Sequence, residues 1–174
     1  MKKKKKLSFA REFIKNRKQL GTPFPSSRYL AKTIAKYVVG YNIVELGAGQ
    51  GQVTKAILHR HPDIKLTAFE INQGLLEHLA EIEDPRLRVV EASAEHFSDY
   101  IPKFNCVVSG LPLTSMPEKI VHEILTASKR AERYIQYKYF PEGTLLKKYF
   151  SNVKLKVVFM NPLPALVYIC SNNN

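Results

Sequence analysis

The sequence predicts an α/β domain: a seven-stranded, mostly parallel sheet with helices on both faces and an antiparallel C-terminal hairpin. Three observations predict it. Between residues 42 and 139, short apolar runs alternate with segments of helical periodicity, the pattern of parallel strands joined by crossover helices. The first run ends in "ELGAGQG", three glycines in five positions where a strand hands over to a helix. The last two runs, 153–159 and 165–170, are joined through "MNPLP", which leaves no room for a helix, so they pair antiparallel at the sheet edge.

The elements follow in order. Ser8 is placed to cap a helix to about Lys18, with Leu7, Phe9, Ala10, Phe13 and Ile14 at helical spacing and Lys6, Arg11, Lys15 and Lys18 largely elsewhere around it. "GTPFPSS" breaks it, because Pro23 and Pro25 force extended backbone. Helical periodicity resumes in "SRYLAKTIAKYV" through Tyr29, Leu30, Ile34 and Tyr37, with Ser26 and Ser27 as candidate caps. Strands are predicted at 42–46, 64–70, 87–91, 104–109 and 133–139, and helices at 51–59, 73–82, 118–128 and 145–150. The closing "SNNN" reads as a frayed tail. The chain thus divides into a basic amphipathic N-terminal helix, 1–20, and one domain, 21–174.

Charge is distributed unevenly. Of the net +12, residues 1–40 contribute +11, from 12 Lys/Arg against Glu12 alone, while residues 41–174 balance 15 Lys/Arg with 14 acids. Such an arm seeks a polyanion, either nucleic acid or an anionic membrane surface. Cys106 and Cys170 lie inside apolar runs and read as buried small hydrophobes of a reduced, cytosolic protein. No apolar stretch reaches the roughly 18 residues of a membrane span. No apolar core follows Lys2–Lys6, as a signal peptide would need. The expected location is the cytoplasm, peripheral to a membrane. The five histidines show no metal-ligand spacing, no metal site is expected, and there is no Ser/His/Asp signature.

The glycine loop is not a phosphate-binding P-loop, since no Gly-Lys-Ser/Thr follows. Gly47 and Gly49 permit a tight turn and leave room for a ligand against the main chain. Glu45, just before them, would repel a pyrophosphate but could face a cation. Glu70, about twenty residues on at the end of the second strand, is placed to accept both hydroxyls of a ribose. A ligand with a sulfonium, an ammonium and an adenosine, and without phosphate, fits these features: S-adenosylmethionine.

Here the sequence resembles the class I S-adenosylmethionine-dependent methyltransferases, of Rossmann-like fold. "VELGAGQG" matches their first motif and "AFEIN" (68–72) their second-strand acidic motif. The resemblance implies cofactor contacts from Glu45, Gly47, Ala48, Gly49, Gly51, Glu70 and Ile71. In the third motif, "VVEASAEHF" offers Ser93 and Ala94 where the family usually carries an acid. The fourth strand ends "VVSGLPLTSMP". Relatives that methylate adenine in RNA or DNA carry Asn or Asp there, then Pro and an aromatic; Ser109 stands in for the first and Leu113 for the aromatic. A nucleobase would lose its acceptor and its stacking platform together.

Over nearly the whole chain the sequence is similar to bacterial soluble phospholipid N-methyltransferases, which convert phosphatidylethanolamine towards phosphatidylcholine. The similarity lies in "FIKNRKQLGTPFPSSRYLAKTIAKYV" (13–38), "VVSGLPL" (107–113), "YIQYKY" (134–139) and "NPLPALVYIC" (161–170). It implies a phospholipid substrate and an N-terminal helix lying on the anionic membrane. Gly110, Leu111 and Pro112 are then expected to floor the transferring methyl, with Ser109 and Gly110 edging the cofactor. Tyr137 and Tyr139, on one face of a strand, and Tyr29 are candidates to stabilise the methylated cation. Plain sheet packing is an equal reading for the strand pair. Arg28 is a candidate fork for the lipid phosphate or an ordinary helix-start arginine. The protein is expected to act as a monomer. RNA is the alternative substrate: adenine dimethyltransferases of rRNA resemble this core but add a C-terminal helical domain, and only four residues follow the last predicted strand here.

Overall fold

A strand reads as a continuous apolar run when both of its faces are covered, as in the fully buried strand at 106–109. The structure is a computed structural model and describes residues 27–139, 141, 143–159 and 164–172. The predicted helix at 8–18, the 1–20 segment as a whole and Ser26 lie outside the described residues. Helix α1 (Arg28–Tyr37) begins at Ser27, whose hydroxyl accepts the Leu30 N–H at 3.2 Å. That bond satisfies one of the orphan donors of the first turn.

Strands β1 (Asn42–Leu46), β2 (Lys65–Glu70), β3 (Leu87–Glu91), β4 (Cys106–Ser109) and β5 (Arg133–Lys138) are parallel. They alternate with α2 (Gln52–Arg60), α3 (Gln73–Ala80), α4 (Phe97–Tyr100) and α5 (Glu118–Ser128). After α6 (Gly143–Leu146), β6 (Asn152–Val158) and β7 (Ala165–Ser171) complete the sheet antiparallel, in the order β3-β2-β1-β4-β5-β7-β6. Ile43, Leu66, Cys106, Val108, Ile135 and Val167 face α1 and α2, against Leu30, Ile34, Val53 and Ile57. Val44, Leu46, Phe69, Val107, Tyr134 and Cys170 face the other way, against Phe97 and the α5 residues Ile124 and Leu125. Each such aliphatic or aromatic side chain contributes about 1.5–3 kcal/mol through burial. Strand order reverses at β1 and β4, and in open α/β sheets that reversal leaves a crevice at the strands' C-terminal ends.

The opposite end is stitched by one amide. Asn105 Oδ1 accepts the N–H groups of Tyr41 and Asn42, both at 3.0 Å, while its Nδ2 donates to Glu132 at 2.5 Å. Gly40, at φ 78°, lies so close that a side chain there would collide with Asn105. Arg133 Nη1 also donates to the Tyr37 carbonyl at 2.8 Å, joining the end of α1 to the start of β5.

Several boundaries shift. The strand expected at 104–109 starts at Cys106, because Phe104 turns to pack on Phe97, 5.1 Å between ring centres. The strand expected at 133–139 stops at Lys138, and the helix expected at 145–150 occupies Gly143–Leu146. Residues 94–100, left without an element by periodicity, form a 3₁₀ turn (Ala94–His96) and α4 around fully buried Phe97. The tail is tied further than expected: Ser171 belongs to β7, and Asn172 Oδ1 accepts the Ser151 N–H at 3.1 Å. Both cysteines are buried and unpaired by disulfide, and burial pushes each thiol up to about 12.

Candidate active site

The glycine loop leaves β1 with positive φ at Gly47 (72°) and Gly49 (60°), values an L side chain rarely adopts. A Cβ built on Gly49 would meet nothing within 4 Å, so the main chain there faces open space. One built on Gly47 would come within 2.9 Å of Leu111 Cδ2, from the segment that follows β4. The two glycines thus serve different neighbours, a ligand space and a packed leucine. The N–H groups of Gly47 and Ala48 both donate to the Phe69 carbonyl, at 2.9 and 3.2 Å, which fastens the turn to β2. Gly51 then precedes α2 as its N-cap residue.

Glu70, 3% exposed, holds the loop from the other side. One carboxylate oxygen accepts the Gly49 N–H at 3.0 Å, and the other accepts those of Ile71 at 2.9 Å and Asn72 at 3.0 Å. Three of its roughly four acceptor positions are filled by backbone, so a ribose hydroxyl would compete for the remainder. Ile71 itself is half-buried.

Glu45 is fully buried. Oε2 accepts the Thr54 hydroxyl at 2.7 Å from the first turn of α2, and Oε1 has no hydrogen-bond partner. Burial pushes its carboxyl from the ordinary 4.5 up to about 8; the Thr54 bond opposes this and the nearby Glu70 adds to it. A cation brought to that orphaned oxygen would supply the missing partner and draw off the proton.

Beyond β4, Ser109 is fully buried and its hydroxyl accepts the Leu111 N–H at 3.3 Å, so it is turned into its own loop. The Gly110 N–H donates to the Leu46 carbonyl at 3.0 Å, continuing the β1–β4 ladder. The Leu111 carbonyl receives two donors, Gln136 Nε2 at 2.8 Å and the Leu113 N–H at 3.0 Å. Gln136 and a second N–H therefore orient that carbonyl. The Tyr137 ring lies directly on Gly110, and any side chain at Gly110 would strike it. Leu113 is buried in the core. Glu45, Gly47–Gly51, Glu70, Ile71 and Ser109–Pro112 with Tyr137 thus form one connected shell at the crevice.

The remaining predicted residues surround it more loosely. Ser93 is half-buried at the end of β3, and Ala94 is buried against Val90 and Phe97, leaving mainly backbone to offer a ligand. Tyr137 and Tyr139 pack on the α1 side of the sheet, as alternation requires, although Tyr139 lies just past β5. The Tyr139 hydroxyl is buried without a partner, and burial pushes its ionisation upward. Arg28 and Tyr29 are exposed on the first turn of α1, with the guanidinium 5.3 Å above the tyrosine ring. Among the described residues, no group of three or more His, Cys, Asp or Glu could hold a metal ion.

Sequence reasoning missed Thr54 and the Tyr134–Gln136 pair as members of the site. Thr54 has a faint signal, a polar side chain at helical spacing with the apolar Val53, Ile57 and Leu58.

Against known proteins, residues 43–133, just over half of the chain, match the family described as a methyltransferase domain. The ornithine lipid N-methyltransferase of Singulisphaera acidiphila is 27% identical over 186 residues, covering 93% of this chain and 93% of that protein. Ribosomal RNA small subunit methyltransferase A of Xanthomonas euvesicatoria is 30% identical over 115 residues, 63% of this chain but 42% of that one. The structure of M. capricolum TrmK, solved in complex with S-adenosyl-homocysteine, superposes with a TM-score of 0.68 at 12% identity, over 86% of this chain and 70% of that one. That likeness is one of fold.

Proposed function

The chain belongs to the methyltransferase domain family and is an S-adenosylmethionine-dependent methyltransferase; from that premise we propose that its acceptor is the head-group amine of a membrane phospholipid, phosphatidylethanolamine first. The observation that carries the reading is end-to-end similarity to a lipid N-methyltransferase, 93% of each chain, where the ribosomal RNA enzyme matches over less than half of its length. The local chemistry agrees. Leu113, in the position of a base-stacking aromatic, is 1% exposed, and Ser109 is fully buried with its hydroxyl accepting the Leu111 N–H, which argues against either side chain meeting a nucleobase.

S-adenosylmethionine supplies a methyl made electrophilic by its sulfonium. On this reading the orphaned Glu45 oxygen, the open face of Gly49 and Glu70 hold it. Displacement by an amine needs alignment more than acid-base help. Gly110–Pro112 and the Tyr137 ring shape the acceptor side, the ring offering its face to a nitrogen that becomes cationic. On the same reading the basic 1–20 segment, which precedes α1 in sequence, brings the domain to an anionic bilayer. Each Lys or Arg near such a surface contributes about 1 kcal/mol.

The test is transfer of labelled methyl from S-adenosylmethionine to anionic vesicles containing phosphatidylethanolamine or an ornithine lipid, beside unmodified ribosomal RNA. Label in mono-, di- or trimethylated lipid is expected. Label in RNA alone would overturn the reading in favour of adenine N6-methylation, which the 30% match to a ribosomal RNA enzyme and the basic arm support.

A further inference from the structure

We propose that Gln136 is a positioning residue for methyl transfer, a buried clasp that sets the acceptor floor against the cofactor loop. It rests on methyl transfer by this chain and not on which amine is the acceptor. Gln136 lies on β5 and is fully buried, as is its neighbour Tyr134. Its Nε2 donates to the Leu111 carbonyl at 2.8 Å, while Oε1 accepts the Tyr134 hydroxyl at 2.5 Å. The amide has only one workable orientation, since a carbonyl can only accept and the NH₂ must therefore face Leu111. Tyr134 is in turn fixed by stacking on Phe150, with 5.1 Å between ring centres and 10° between planes.

The consequence reaches the cofactor loop through one side chain. Leu111 carries the clasped carbonyl, and its Cδ2 reaches to within 2.9 Å of where a Cβ on Gly47 would sit. Gly47 is itself tied to β2 through the Phe69 carbonyl. Gln136 thus fixes the distance between the floor under the acceptor and the turn that holds the methyl donor. A small misplacement there costs rate far more than affinity. An apolar side chain would fill the strand equally well. The amide is spent on the loop.

Three variants test this, with turnover, affinity for S-adenosyl-homocysteine and the ¹³C resonances of the Leu111 methyl groups as readouts. Gln136→Leu removes both bonds and is expected to lower kcat about tenfold or more, with affinity for S-adenosyl-homocysteine changed by no more than about threefold. Gln136→Glu keeps the shape. As a neutral acid it still donates to the Leu111 carbonyl, and once ionised it sets acceptor against acceptor. Its kcat is expected to fall with rising pH while the Leu111 methyl signals shift over the same range. Tyr134→Phe removes only the outer bond and is expected to give a smaller loss. Wild-type kcat in Gln136→Leu, or a Gln136→Glu enzyme whose Leu111 signals follow pH no more than wild type, would overturn the proposal. If the wild-type enzyme labels no lipid, the lipid reading fails, and the Leu111 signals still decide this one.

Discussion

Glu45 is the residue whose ordinary chemistry the fold disturbs most. Its carboxyl titrates near 4.5 in an unfolded chain and near 8 in the fold. Between those values the unfolded chain gives up the proton and the folded one keeps it, so stability falls as pH rises, on the order of 1.4 kcal/mol per unit. Below 4.5 the contribution is fully present, and above 8 it is lost. Thermal unfolding followed by calorimetry from pH 5 to pH 9 is expected to show this slope in the wild type and a flatter one in Glu45→Gln. A cation at the orphaned oxygen lowers the same pKa, so S-adenosylmethionine binding at pH 7 is expected to release a proton. Titration calorimetry in two buffers of different ionisation enthalpy measures that release, which Glu45→Gln should lack. Gly49→Val is expected to abolish binding by filling the open space, with a folding loss of about 1–2 kcal/mol from its left-handed φ. Glu45 and Gly49 were legible because a carboxylate and glycines flank a strand end. Thr54 was not, because its role depends on the turn of helix that brings it back over residue 45.

At the scale of elements, the strands declared themselves through short runs rich in apolar and β-branched residues, and α5 matched its predicted range because its periodic face is long. Element α4 did not, since four residues cannot display a period. Its existence follows from Phe97 reaching Phe104 and Phe69, contacts that no local pattern encodes. The clasp between β5 and the turn after β4 was hidden for the same reason, because 25 residues separate Gln136 from Leu111. Helix α1 depends on a visible signal, a serine before the first turn. Ser27→Ala is expected to cost about 1 kcal/mol, read as a lower urea midpoint with an unchanged slope.

At the scale of the molecule, charge is unevenly placed: residues 1–40, which include α1, carry +11, and the remainder is nearly neutral. Composition alone exposes that asymmetry, which is why it was legible without any structure. Among the described residues no helix is long and apolar enough to cross a membrane. Co-sedimentation with anionic vesicles is expected to weaken as salt rises and to fall sharply when residues 1–20 are removed, with S-adenosyl-homocysteine affinity unchanged. The two ends of the sheet carry separate duties. One holds the glycine turn, Glu45 and the Gly110–Pro112 segment, while the other is held by Asn105, whose amide reaches β1 and Glu132. A lineage can therefore exchange the loops at the working end and drift from one methyl acceptor to another without unpicking the sheet. The Asn105 knot makes the domain a chassis, and the history of its substrates should be written almost entirely at the opposite rim.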